Sequence, residues 1–120
     1  MPTPTILTIT NAILTAYCAC GKYPQCPSNT LAASGVRPTK SHTVAVSRQI
    51  PLGSTVSIIA LGGDRQFSMR NKVFVAGDRF NKRFELPTPR RVDIFFGTNH
   101  AAAVKFGRQT GTVTYTINTN

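Results

Sequence analysis

Acidic side chains are scarce in this chain. Its 120 residues include only four of them, Asp64, Asp78, Glu85 and Asp93, against 14 lysines and arginines, for a net charge of +10. The surface must therefore carry a broad positive field, which calls for an anionic partner such as nucleic acid, anionic lipid or a cell-wall polymer. The basic residues form no single run. They are spread from Lys22 to Arg108, which excludes a basic tail or a nuclear-targeting cluster. No nucleic-acid-binding motif accompanies the charge, so no nucleic-acid partner is expected.

Other features are missing too. No apolar run approaches the length of a membrane span. The N-terminus, MPTPTILTITNAIL, lacks the basic start, long apolar core and small-residue cleavage site of a signal peptide. Export, if it occurs, would need another route, and the compartment stays open. Cysteine is limited to Cys18, Cys20 and Cys26. An odd count leaves at least one thiol unpaired within the monomer. Their spacing is a poor match for a zinc ribbon, even with His42 or His100 as a fourth ligand, so no metal or cofactor is expected. A Cys18–Cys26 or Cys20–Cys26 bridge suits an oxidising place, and free thiols suit a cytoplasm. Neither histidine has a partner for a catalytic triad. There is no internal repeat and no low-complexity stretch.

What remains is the composition of one globular domain, residues 1–120, with 41% apolar and 15% charged residues. Threonine-rich, β-branched residues 5–17 favour a strand, with Asn11 as a bulge or break. Residues 18–40 form a long irregular segment rich in Pro, Gly, Ser and Asn, of the kind that usually serves function. Strands are expected over residues 42–46, 55–60, 72–77, 91–96 and 112–117. A turn at Ile50-Pro51-Leu52-Gly53, a hairpin turn at Gly62-Gly63-Asp64 and a short arm over Gln66–Arg70 separate them. Asn99 is placed to cap a short helix that Gly107 ends. Six strands and one short helix in so short a chain indicate a small, mostly-β barrel.

Two of the rare carboxylates sit against apolar runs, Asp78 after Val73-Phe74-Val75-Ala76-Gly77 and Asp93 within Val92-Asp93-Ile94-Phe95-Phe96. An isolated buried carboxylate is costly. One explanation is structural pairing with Arg79, Arg83, Arg90 or Arg91. The other is chemistry.

Five fragments in order favour the second. Thr15-Ala16-Tyr17, Ala33-Ser34-Gly35, Val44-Ala45-Val46 with Ile50-Pro51-Leu52-Gly53, Val75-Ala76-Gly77-Asp78 and Arg91-Val92-Asp93-Ile94-Phe95-Phe96-Gly97 together resemble the three-aspartate domain. That domain occurs in membrane-bound lytic transglycosylase A, stationary-phase survival proteins and small phage proteins. The resemblance runs from about Thr15 to the C-terminus. It implies a six-stranded double-psi β-barrel whose cleft holds a peptidoglycan glycan strand, and it would suit a phage-encoded or virion-associated protein.

Carried over residue by residue, the resemblance makes Asp78 and Asp93 the catalytic carboxylates. Tyr17, Ser34, Ser47, Asn81, Lys82 and Arg83 become substrate contacts. Ser47 stands where the first aspartate of the pattern belongs, and Asp78-Arg79-Phe80-Asn81-Lys82-Arg83-Phe84 replaces a glycine-rich stretch. The implied reaction is that of a lytic transglycosylase. Asp78 would serve as general acid and then base, forming a 1,6-anhydro product, with Asp93 orienting it and apolar neighbours Phe74 and Phe80 drying its surroundings. Two rival readings use the same residues. One is an inverting glycoside hydrolase employing Asp78 and Asp93 with water. The other is a non-catalytic glycan-binding or virion structural module, favoured by the missing first aspartate.

Overall fold

Segments rich in β-branched and aromatic residues become strands because such side chains pack well on a pleated, half-buried surface. In the computed structural model, which describes residues 3–19, 32–35, 38–39, 42–60 and 72–117, these are β1 (Thr5–Tyr17), β2 (Thr43–Val46), β3 (Thr55–Ala60), β4 (Lys72–Arg79), β5 (Arg91–Phe95) and β6 (Gln109–Ile117). A short helix, α1 (His100–Phe106), precedes β6, and a single 3-10 turn, Lys82–Phe84, follows β4. The expected turn at residues 62–64, the arm over residues 66–70, Cys20, Cys26 and most of the 18–40 segment lie outside the described residues.

The described strands close into a barrel in the order β1-β5-β2-β4-β3-β6. Two junctions are parallel, β1 with β5 and β2 with β4. The other four are antiparallel. Every strand thus has hydrogen-bonding neighbours on both sides over part of its length, which removes the open edges of a sheet. Alternate residues point inward. Leu14, Val44, Val46, Val56, Ile58, Phe74, Val92, Ile94, Val113 and Tyr115 fill the interior, all essentially without solvent contact. The buried Tyr115 hydroxyl donates to the Pro89 carbonyl at 2.6 Å, so the one polar tip in this core is satisfied.

Local expectations hold in several places. The β1–β6 register shifts between Ile9 and Ala12, a bulge spanning Asn11. Asn99 Oδ1 accepts the Ala102 amide at 3.0 Å, capping α1, and Gly107 ends the helix at a φ of 63°, a conformation glycine adopts without strain. Two boundaries differ from expectation by more than one residue. β4 continues past Gly77 to Arg79, and β6 begins at Gln109 instead of Thr112. The first of these differences builds the site.

Candidate active site

Gly77 is an extra residue in β4. Thr43 and Val44 of β2 pair with Val75 and Ala76, but Ala45 pairs with Asp78, so Gly77 is passed over. Such a bulge bends the strand and re-aims the next side chain. The position is tight, because a Cβ on Gly77 would lie 3.1 Å from Thr43 Cγ2. After the bulge the strands register as a row. Asp78 lies opposite Ala45, Ala45 opposite Asp93, and Asp93 opposite Thr15, across β4, β2, β5 and β1. Residues directly opposite one another share a face of the sheet. Two strand spacings put the Cα atoms of Asp78 and Asp93 roughly 9–10 Å apart.

The row forms the floor of a cleft of about 380 Å³. Ala45, Asp78 and Asp93 line it, with Tyr17 and Phe95 from β1 and β5 and Phe80, Asn81 and Phe84 from the segment after β4. Ala45 is the small residue between two carboxylates, and its methyl leaves the floor open.

Each carboxylate is held differently. Asp78 Oδ1 accepts the amides of Ala33 at 2.9 Å and Arg79 at 2.8 Å, and Oδ2 accepts the Tyr17 hydroxyl at 3.0 Å. Burial, the Asp78 charge and hydrogen bond, and the Asp93 charge together push the Tyr17 phenol far above its ordinary pKa, so it stays a donor. Asp93 accepts from Thr15 Oγ1 and, at 3.0 Å, from Arg91 Nε. The Arg91 guanidinium also lies 4.2 Å from the centre of the Phe84 ring and 5.6 Å from that of Phe80. The structural explanation of the sequence, pairing with a nearby arginine, therefore describes Asp93 and not Asp78. Arg79 turns its side chain away from Asp78 to the carbonyls of Ser47 and Ile50.

The sequence-predicted contacts are dispersed. Tyr17 and Asn81 line the cleft. Lys82 and Arg83 are exposed on the 3-10 turn at its rim, with Arg83 4.7 Å from the centre of the Phe84 ring. Ser34 lines a neighbouring hollow, also of about 380 Å³, with His42, Thr43 and Gly77. Ser47 is buried and does not line the cleft; its hydroxyl donates to Glu85 Oε1 at 2.6 Å. Phe74 belongs to the interior of the barrel, so of the two phenylalanines expected beside Asp78 only Phe80 lines the cleft. Cys18, beside Tyr17, is disulfide-bonded, and its partner lies outside the described residues. Its sulfur is 3.3 Å from His100 Nδ1. Among the described residues no three His, Cys, Asp or Glu side chains gather where a metal could sit.

Sequence reasoning named Arg91 only as one of four arginines that could pair with the aspartates, and missed Thr15, Ala45 and Glu85 as parts of this site. Thr15 was discoverable, since it stands in the fragments that flag the aspartates. Ala45 and Glu85 carried no signal without the strand register.

No known family pattern matches the chain, and no curated protein matches it. Solved structures do. MltA from E. coli with bound chitohexaose shares 23% identity at a TM-score of 0.55, over 81% of this chain and 30% of that one. A membrane-bound lytic murein transglycosylase from Agrobacterium tumefaciens shares 23% at a TM-score of 0.58, over 72% of this chain and 25% of that one. An apo aspartate-to-alanine variant of E. coli MltA shares 20% at a TM-score of 0.55, over 78% and 28% of the two chains. This chain spans less than a third of the length of each of these structures. At such identities the likeness is one of fold: the six-stranded barrel described here resembles part of these transglycosylase structures.

Proposed function

We propose that this chain is a peptidoglycan-cleaving enzyme of the lytic transglycosylase type, built on a three-aspartate, double-psi barrel. The observation that carries the reading is the register row: a barrel of the kind found in lytic transglycosylases places Asp78 and Asp93 on one cleft floor with only Ala45 between them. The two parallel strand pairs, β1 with β5 and β2 with β4, agree with the double-psi assignment.

The chemistry follows from the roles. Asp78, protonated, gives its proton to the glycosidic oxygen as the bond to the anomeric carbon breaks. The resulting carboxylate then takes the proton of the sugar's own 6-hydroxyl, whose oxygen bonds to the anomeric carbon and closes the 1,6-anhydro ring. Three hydrogen bonds fix the Asp78 carboxyl in place, which supplies the orientation that proton transfer requires. Asp93, held by Arg91, turns its carboxyl dipole to where positive charge develops on the sugar. Phe80, Phe84, Phe95 and Tyr17 offer the apolar faces against which a sugar ring packs, and Asn81, Lys82 and Arg83 supply polar contacts at the rim. A bound chitohexaose in MltA supports a glycan as the ligand class.

The inverting-hydrolase reading is kept for one reason: with Ala45 between them, Asp78 and Asp93 stand two strands apart, which leaves room for the water that inversion requires between its two carboxyls. Muropeptide analysis of digested cell walls decides. Anhydro ends support the transglycosylase, reducing ends the hydrolase, and an untouched wall with retained binding leaves a glycan-binding module.

A further inference from the structure

Glu85 does not line the cleft, yet its carboxylate accepts three hydrogen bonds, as many as Asp78 does on the floor. Its Oε1 accepts the Ser47 hydroxyl at 2.6 Å, and its Oε2 accepts the Arg48 amide at 3.0 Å and Arg48 Nη1 at 3.1 Å. The same Arg48 Nη1 donates to the Phe80 carbonyl at 3.3 Å. Gln49 Nε2 donates to the Leu86 carbonyl at 3.0 Å. From the other direction, Arg79 Nη1 reaches the carbonyls of Ser47 and Ile50. All these bonds join the same two segments, residues 79–86 and residues 47–50.

The segment after β4 needs such support. Beyond Arg79 it has no strand partner, and its own backbone bonds are those of one 3-10 turn, Phe84 to Asn81 and Glu85 to Lys82, both 3.0 Å. It nevertheless carries Phe80, Asn81 and Phe84, one wall of the cleft built outside the strands. We infer that Glu85 is a positioning residue: its carboxylate clasps the Phe80–Phe84 wall to the turn after β2 and so sets the shape of the cleft above Asp78 and Asp93. The charge that the resemblance expects at position 47 is thereby delivered to Ser47 from position 85. Partial desolvation raises the Glu85 carboxyl, but the bonds from Ser47, the Arg48 amide and the Arg48 guanidinium outweigh it and hold the group below its ordinary pKa. Around this carboxylate the facing charges are Arg48 and Arg79, both cationic.

The consequence for turnover rests on the proposed function; the clasp itself does not, and the test separates them. Hydrogen exchange is measured on the full chain for the wild type, Glu85→Gln, Ser47→Asp and the double variant. Glu85→Gln presents an amide donor to Arg48, and Ser47→Asp sets two carboxylates against each other. Each single variant is expected to speed exchange of the amides at positions 84 and 85 about tenfold or more, while the core-strand amides of β2 and β5 keep their protection. The double variant restores a carboxylate–amide pair across the same gap and is expected to return exchange towards the wild-type rate. Chitohexaose binding and turnover follow the same pattern, with KM moving more than kcat because the wall holds substrate without touching the reacting atoms.

Unchanged exchange at residues 84 and 85 in Glu85→Gln overturns the clasp, as does a double variant no closer to wild type than the singles. Should Glu85→Gln fail to fold, Arg48→Met keeps the Ser47–Glu85 bond and must still speed exchange at the same two amides; if it does not, the inference fails. A wild type that neither binds chitohexaose nor cleaves cell wall refutes the glycan reading, and the exchange comparison still decides the clasp.

Discussion

Asp78→Asn is the substitution on which the catalytic reading stands, and the structure allows its cost to be worked out. Asparagine keeps Oδ1, so the Ala33 and Arg79 amides retain their acceptor. Its Nδ2 replaces Oδ2, and the Tyr17 hydroxyl, which can donate or accept, turns to accept from it. Every contact survives, and only charge assistance is lost. A hydrogen bond to a charged group is worth about 1.5–3 kcal/mol and a neutral one about 0.5–1.5, so three such bonds could lose about 3 kcal/mol. The cleft is open to water, and a neutral amide is cheaper to desolvate than a carboxylate, which together bring the expected loss to about 1–2 kcal/mol. For a chain of this size that lowers Tm by roughly 3–10 °C. Turnover should fall by about 10²–10⁴, the usual contribution of a positioned acid–base group. Scanning calorimetry and muropeptide release, run on the same preparation, read the two quantities. A folded variant that keeps a tenth of wild-type turnover refutes Asp78 as the acid, and a variant that fails to fold refutes the claim that asparagine preserves its contacts.

Three further outcomes follow from the same geometry. Ala45→Leu fills the floor between the two carboxylates; about tenfold or greater loss of glycan affinity is expected, with Tm changed by only a few degrees because the added atoms enter the cleft and not the core, and calorimetric titration against chitohexaose checks it. Glu85 has a depressed folded-state pKa, so its contribution is complete above its unfolded value of about 4.3 and is lost as pH falls through the lower folded value. The Tm difference between wild type and Glu85→Gln should therefore be flat above about pH 5 and narrow as pH falls below about 4, and a difference that stays constant across the acid range contradicts the assignment. Binding to purified sacculi should weaken as salt rises from about 0.1 M to about 1 M, where the Debye length falls from about 10 Å to about 3 Å; binding indifferent to salt would assign recognition to cleft contacts alone.

The strands were legible because their side chains must satisfy two environments at once. In β6 the alternation of Val113 and Tyr115 with Thr112, Thr114 and Thr116 places apolar residues inside and hydroxyls outside, and the structure buries them accordingly. The misjudged boundaries have specific causes. Gly111 pairs with both Ala12 and Ala60 where β6 runs between β1 and β3. Glycine and the polar residues before it looked like loop, yet they continue the ladder. At Gly77 a glycine before an aspartate reads as a strand end, whereas here it is the residue skipped so that pairing can resume. Strand order is a further step removed. Nothing local in β1 announces a parallel partner drawn from residues 91–95; only the resemblance implied that topology.

The site was half legible for a related reason. Asp78 and Asp93 stood out because a carboxylate beside an apolar run needs an explanation, and that signal is contained within a few residues of chain. Ala45 and Glu85 matter only through what lies across from them. Ala45 is an ordinary alanine until the register sets an aspartate on either side of it. Glu85, in a loop with two prolines close behind, looks like a solvated charge until Ser47 and Arg48 close on it. Of the four acidic residues in this basic chain, the three that the structure describes belong to the cleft or its support, two on the floor and one bonded to the turn after β2. In a protein with ten excess positive charges, carboxylates scattered for solubility would be expected on many faces; their convergence is better explained by a site that requires negative charge at those three points.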